Sequence, residues 1–261
     1  MSEEKTGDGP APRAAEGMAG LAKGLAIIES FGKACSQVTV ADAARATGVS
    51  RAAARRCLLT LAELGYLTFD GKHFRATPRM LRLGASYLDS APLPQIAQTH
   101  LEAARDRLDE SVSLAVIEDG FSVFVARAEA DHIVSTGVRV GARLPAYCTA
   151  TGRVLLSGMT DAELHAYLDR CDFKARTNRT LVERGAIENA VERARSNGYD
   201  LTDEELELGM RSIAVGVRDP SGTVIAAISA SAYSARITLD AMISNFLPVL
   251  REQAQKIGRA M

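Results

Sequence analysis

Residues Val40 to Gly65 leave this chain little choice of local structure, because two helical patterns there are broken by one glycine-containing turn. In the first, about Val40 to Thr47, the residues Val40, Ala43 and Ala44 fall on one side, and Gly48 can take the left-handed conformation that ends a helix. Val49 then fills the corner. Ser50 suits the cap of a second helix, whose apolar residues Ala54, Cys57, Leu58, Leu61 and Leu64 share one face up to Gly65. The pattern predicts a helix-turn-helix.

At about 100° per residue, the opposite face of the second helix is Ala52, Arg56, Leu59 and Glu63, flanked by Arg51 and Arg55. A helix that enters the DNA major groove needs small residues where it nears base edges, and guanidinium groups that reach guanine O6 and N7 or hold phosphates. Ser50, Arg51, Ala52, Arg55 and Arg56 meet both demands. Two strand-like runs follow, Tyr66 to Phe69 and Phe74 to Thr77, joined across Asp70-Gly71-Lys72, where Asp-Gly is a hairpin signal. This is a wing, and Lys72 and Arg75 place cations on it.

From Arg51 to Arg82 there are seven cations and two acids, a local balance of +5 in a chain whose overall charge is −1. Charge segregated in this way suits a surface that binds phosphates. A solvated helix with no nucleic-acid partner can also be rich in arginine, but the wing that follows favours a winged helix-turn-helix that binds double-stranded DNA.

Residues 1–17, rich in Glu, Gly, Pro and Ala without periodicity, are expected to form a disordered tail. From Ala19 a helix with Leu21, Leu25, Ile28 and Phe31 at helical spacing, and Ile27 beside them, completes the head and closes at Gly32. The head is assigned to 18–78. Pro78 to Leu88 reads as a connecting helix, broken by Ala91-Pro92-Leu93-Pro94 before another from Gln95 to Leu108, so 79–94 is a connector and 95–261 a second domain. A helical connector transmits motion better than a Gly/Ser linker, which suits a protein whose two ends are coupled.

In the second domain, strands are expected at Ser111 to Ile117 and Phe121 to Ala128, joined across Glu118-Asp119-Gly120, and at Ile133 to Val140. Helices follow at Thr149 to Leu156, Asp161 to Leu168 and Glu183 to Ser196, the last ending at Gly198. Strands Ser212 to Arg218 and Thr223 to Ser231 flank Asp219-Pro220-Ser221-Gly222, and an amphipathic helix runs from Leu239 to Arg259. Strands at both ends and helices between them make this domain α+β.

Several classes of function find no support. The longest apolar runs, such as Val224 to Ala230, are too short to cross a bilayer, and no leader-like segment opens the chain, so a cytoplasmic protein is expected. Cys35, Cys57, Cys148 and Cys171 are scattered, without zinc-ligand spacing, and read as reduced thiols, so neither a metal nor a cofactor is implied. GxSxG, GxxxxGK, GxGxxG and HExxH are all missing, and His100, His132 and His165 are isolated. No catalytic residue can be named.

What stands out is Ser229-Ala230-Ser231, with Ser212 on the neighbouring strand, in the most apolar strand pair of the chain. Alternation puts Ser229 and Ser231 on one face of the sheet. Such hydroxyls either bond backbone or converge on a pocket and bind a polar ligand.

The order of winged head, helical connector and a domain containing Leu144-Pro-Ala-Tyr-Cys-Thr-Ala-Thr-Gly-Arg-Val-Leu-Leu156 resembles the isocitrate-lyase-regulator (IclR) family of bacterial transcription factors, as does Asp203-Glu-Glu-Leu-Glu-Leu-Gly-Met-Arg-Ser-Ile-Ala214. Ser50 to Leu67 and Arg143-Leu-Pro-Ala-Tyr-Cys148 look like the branch that regulates protocatechuate, 4-hydroxybenzoate and β-ketoadipate catabolism. The resemblance covers the chain from about Ala19. It implies a GAF-like effector domain and a homodimer, often paired into a tetramer, on palindromic operator DNA.

The resemblance also implies an effector pocket at Ala150, Thr151, Thr202, Ser212, Ser229 and Ser231, three of which are the serines singled out above. An aromatic or dicarboxylic acid needs a cationic partner, and Arg139 and Arg143 flank the loop that would enter the pocket; they could equally be surface arginines of an edge strand. The function expected is a ligand-responsive regulator of a catabolic operon that senses an aromatic acid or a β-ketoadipate-type acid, in which the small organic acid repacks the effector domain and changes the disposition of the DNA heads. The alternatives are an enzyme acting on a small carboxylic acid under an N-terminal regulatory domain, and a DNA-binding scaffold without effector.

Overall fold

The computed structural model describes residues 18–32, 36–131 and 138–261, which form two compact units divided between Ala85 and Ser86. The expected tail, Cys35 and His132 lie outside the described residues. So does most of the strand expected at Ile133 to Val140, and residues 138–140, which are described, belong to no strand.

The first unit is built from α1 (Ala19–Glu29), α2 (Val40–Thr47) and α3 (Arg51–Glu63), followed by the hairpin β1 (Leu67–Phe69) and β2 (Phe74–Ala76). Thr39 and Asp42 cap α2 reciprocally, each side chain meeting the other's backbone N–H. Gly48 ends it at φ +70°, a conformation that favours glycine. Ile27, Ala43, Ala54, Leu58, Leu61 and Phe74 form the core, and Val38 exchanges backbone hydrogen bonds with Phe74.

The face of α1 is turned from the expected one. Ile27 is its buried residue, with Ile28 and Phe31 packed beside it, whereas Leu21 and Leu25 are 60% and 46% exposed. In a helix only three turns long, one such residue fixes which side faces the core. Leu64 is exposed as well, because α3 has ended at Glu63 and the chain turns away.

After a 3-10 turn (Pro78–Met80), α4 (Leu81–Ser90) runs to Ala91, and α5 (Pro92–Leu108) starts earlier than the sequence suggested. Pro92 and Pro94 sit in the first turn of α5, where no intrahelical donor is required. A proline pair that reads as a break is in fact a helix start.

The second unit has the expected α+β class. It is a six-stranded antiparallel sheet in the order β5-β4-β3-β8-β7-β6, formed by β3 (Val112–Glu118), β4 (Phe121–Ala128), β5 (Arg143–Pro145), β6 (Tyr199–Asp203), β7 (Met210–Arg218) and β8 (Val224–Tyr233). One face packs Leu114, Ile213 and Ile228 against Leu101 of α5 and Leu250 and Ile257 of α10 (Leu247–Arg259). The other carries α6 (Ala150–Ser157), behind which lie α7 (Asp161–Arg170) and α8 (Arg184–Asn197).

Two strands were not expected. β5 is short, and β6 buries Asp200 and Thr202 while leaving Tyr199 and Leu201 half-buried, an inversion of the pattern by which a strand is recognised. The single helix expected from Leu239 to Arg259 is α9 (Leu239–Ala241), a π-helical stretch (Met242–Phe246) and α10. Pro248, in the first turn of α10, has no N–H to continue the α ladder, and the wider turn precedes it.

Candidate functional site

Two surfaces of the molecule have the chemistry of recognition. On the first unit, Ser50 caps α3 by accepting from the Ala53 N–H at 3.3 Å, which fixes where the helix begins. Ala53, Ala54 and Leu58 are buried, and Arg51, Ala52, Arg55 and Arg56 all project from the exposed side. The expected small, cationic face is therefore presented as one surface. Lys72 is exposed at the wing's tip.

Arg75 behaves differently. Its Nη1 donates to Asp70 at 3.0 Å and its Nη2 to the Gln37 side chain at 2.7 Å, so part of its charge is spent within the wing. Asp70 is itself held at about 2 by the backbone N–H groups of His73 and Lys72, with Arg75 adding to them. Its carboxylate shapes the turn and holds Arg75.

On the second unit, the sheet face that carries α6 is divided into an apolar and a polar part. Ala115, Phe124, Ala214 and Ala227 lie with Ala150, Val154 and Leu155 of α6. Beyond them, direct cross-strand partners make one row of Arg127, Ser113, Ser229, Ala214 and Asp200 across β4, β3, β8, β7 and β6. The adjoining row is Ser231, Ser212 and Thr202. Ser113, Ser229 and Thr202 are buried, and Ser212 and Ser231 share a hydrogen bond of 2.8 Å.

Four of the six expected effector residues, Thr202, Ser212, Ser229 and Ser231, thus meet on one face. Ala150 and Thr151 open the helix above it: Ala150 belongs to the apolar cluster that includes Ala214, and Thr151 Oγ1 accepts from Ser122 at 2.8 Å. The arginines expected to flank the pocket are not with them. Arg139 is exposed, and Arg143 stands opposite Val123 on β5 with its guanidinium 4.8 Å from the centre of the Phe121 ring. Since Leu144 packs on the α6 face, alternation turns Arg143 to the other face.

The cation on the hydroxyl face is Arg127, which the sequence hid. Val125 is an extra residue in β4: Ala115 pairs with Phe124, and the next partner of the strand, Leu114, pairs with Ala126. This bulge returns Arg127 to the face of Phe124, where simple alternation would have put it on the opposite one. Its side chain is 5% exposed, and its Nη1 donates to Ser113 Oγ at 2.8 Å.

At the other end of the row, α6 is tied to the sheet by charge. Arg153, 2% exposed, donates from Nε to the Tyr147 carbonyl at 2.8 Å and from both terminal nitrogens to Glu205, and its Nη1 is 3.5 Å from Asp200. Burial pushes the Asp200 carboxyl up to about 6 although Arg153 draws it down.

Burial pushes the Cys148 thiol up to about 11, His100 is bonded to Gln253 at 3.1 Å, and His165 to Glu188 at 3.0 Å. Among the described residues no group of three or more metal-binding side chains converges, and no helix is long and apolar enough to cross a membrane. An open cleft of about 780 Å³ between the β3–β4 turn and α7 is rimmed by Asp119, Glu163, Arg170, Asp172 and Lys174, and none of the hydroxyl rows lines it.

Residues 85–259 match the C-terminal domain family of the bacterial transcriptional regulator IclR, and residues 20–71 match the IclR helix-turn-helix domain. The chain is 42% identical over 234 residues to the Pca regulon regulatory protein of Pseudomonas putida, covering 89% of this chain and 80% of that protein. It is 38% identical over 245 residues to the p-hydroxybenzoate hydroxylase transcriptional activator of Acinetobacter baylyi, covering 92% and 90%. Among solved structures, an IclR homolog from Microbacterium hydrocarbonoxydans complexed with 4-hydroxybenzoate superposes with a TM-score of 0.76 at 25% identity, covering 92% of this chain and 98% of that one.

Proposed function

The chain belongs to the IclR family of bacterial transcriptional regulators, and from that premise we propose that it senses an aromatic acid and so controls an operon for the breakdown of such compounds. The observation that carries the proposal is the sheet face of Ser113, Ser229, Ser231, Ser212 and Thr202, where an ordinary core would have aliphatic side chains. Likeness to two regulators named for aromatic catabolism, and to a fold neighbour holding 4-hydroxybenzoate, supports an aromatic ligand there.

In this reading Arg51, Arg55 and Arg56 hold DNA phosphates and base edges around Ala52, Ser50 fixes the start of the recognition helix, and Lys72 reaches the backbone from the wing. Arg75 contributes less. The protein acts in the cytoplasm as a homodimer, alone or paired into a tetramer, since helix-turn-helix proteins read two half-sites through two heads. The ligand acts by binding one of two states more tightly, and the favoured state has a different affinity for the operator. Turnover of the acid is not part of the reading, because Ser212 and Ser231 bond to each other rather than to a base.

The test is a thermal-shift panel of benzoate, 4-hydroxybenzoate, protocatechuate, β-ketoadipate, glyoxylate and pyruvate on the purified protein. A ligand at about a hundred times its dissociation constant stabilises the native state by roughly 2.7 kcal/mol, which moves the melting temperature visibly. Aromatic acids shift it and glyoxylate does not; a shift with glyoxylate or pyruvate alone would overturn the assignment.

A further inference from the structure

On the side of the sheet away from α6, the end of β7 and the outer part of α10 enclose a cleft of about 440 Å³. Three arginines stand around it, Arg218 at the end of β7 and Arg251 and Arg259 on α10, and none of them is in an ion pair among the described residues. We propose that this cleft binds a small dianion, of the dicarboxylate or phosphate type, at a site separate from the hydroxyl face on the other side of the sheet. The inference does not depend on the aromatic-acid reading above.

The packing of helix on strand makes the cleft. Arg251, Gln255 and Arg259 are spaced four residues apart and follow one line along α10. Beside that line α10 comes down on β7 so closely that a Cβ built on Gly258 would stand 2.0 Å from the Arg218 carbonyl oxygen, and Ala254 and Gly216 add two more small residues to the floor. Backbone and small side chains thus leave room at the bottom, and guanidinium groups form the walls. The volume falls within the roughly 300–1,000 Å³ of clefts that take a small molecule.

Two of the guanidinium groups are held in place without losing their charge. Arg218 Nη1 donates to the Gly222 carbonyl at 2.8 Å, and Arg251 Nη2 donates to the Asn197 carbonyl at 3.0 Å while its guanidinium lies 5.4 Å from the centre of the Tyr199 ring. Arg259 makes no hydrogen bond or ion pair among the described residues. Asp219, the acid on the rim, is used by its own turn: its Oδ1 accepts from the Ser221 hydroxyl at 2.6 Å and from the Ser221 and Thr223 N–H groups at 2.9 and 3.0 Å. Those bonds hold its carboxyl below the usual carboxylate range. The cleft therefore carries a balance of +2. A ligand with two negative charges offsets it, a single carboxylate offsets half, and the planar fork of arginine matches the oxygens of carboxylate and phosphate alike.

Titration calorimetry on the full chain, in a buffer free of phosphate and carboxylate, tests this with adipate, inorganic phosphate and acetate. The proteins are the native chain, Arg218→Gln, Arg259→Gln and the double variant Arg55→Gln/Arg56→Gln. At least one dianion binds saturably and roughly 10-fold or more tightly than acetate, and which of the two does so tells a dicarboxylate site from a phosphate site. Arg218→Gln and Arg259→Gln each weaken that binding about 10-fold, and the Arg55/Arg56 variant leaves it unchanged, which separates the cleft from the cationic head. Neither dianion binding more tightly than acetate, native affinity in both cleft variants, or a loss confined to the Arg55/Arg56 variant overturns the proposal. Arg259 has no partner to lose, so if Arg218→Gln does not fold, native affinity in Arg259→Gln alone overturns it.

Discussion

Asp200 is a carboxylate in a place that disfavours its charge. Its Oδ2 has no hydrogen-bond partner among the described residues and faces Arg153 at 3.5 Å, while Glu205 takes the two-pronged hydrogen bond of the same guanidinium. Burial keeps the folded-state value at about 6 against an ordinary 3.8, so between those values the folded chain binds more protons than the unfolded one. This group therefore favours folding at low pH, and its contribution falls as pH rises toward and through 6. Urea midpoints of Asp200→Asn and the native protein should accordingly diverge in the variant's favour as pH rises from about 4 to 7; parallel curves would mean that the carboxyl is not perturbed. Glu205→Gln leaves Arg153 buried with half its compensation and is expected to cost about 3–5 kcal/mol in the same measurement. Individual residues were legible to differing degrees. The serines of β8 and β7 could be found because hydroxyls interrupt an apolar run, whereas Arg127 lay behind a bulge and Arg143 behind a strand too short to show a period.

At the scale of elements, α2, α3 and the wing follow from local signals because each is set by its own caps and turn: Thr39 with Asp42, Gly48, Ser50 and the Asp70 turn. Ser50→Ala removes one cap and is expected to cost about 0.5–2 kcal/mol in thermal or urea unfolding. Where an element is set by what packs on it, the sequence is mute. β6 carries its polar residues inward, and the orientation of α1 depends on Ile27. Helix α10 gives the sharpest case, since a Cβ built on Gly258 would stand 2.0 Å from the Arg218 carbonyl oxygen of β7. Gly258→Ala must push helix and strand apart, and an overpacking cost of about 1–3 kcal/mol is expected although alanine is the better helix former. A more stable variant would show that helix and strand have room to spare there.

Across the whole molecule, cations are concentrated on α3 and the wing and hydroxyls on one face of the second unit's sheet, and both are supported by ordinary cores. Replacing Arg55 and Arg56 by alanine should weaken DNA binding and flatten its dependence on salt, by roughly one unit of slope for each phosphate left without its arginine. Arg75→Ala should do less, because Asp70 and Gln37 already hold that side chain. The fold class was readable from the chain; that a bulge in β4 turns Arg127 to the hydroxyl face was not. The central claim is that one chain couples these sites. It is tested most directly by fluorescence anisotropy of the full-length protein on labelled DNA from the intergenic region beside its own gene, titrated with and without saturating 4-hydroxybenzoate. The account predicts tight, salt-sensitive binding whose affinity changes about 5- to 150-fold when the acid is present, the range of ordinary coupling between two sites. Identical binding curves, with calorimetry showing the acid bound, would contradict it.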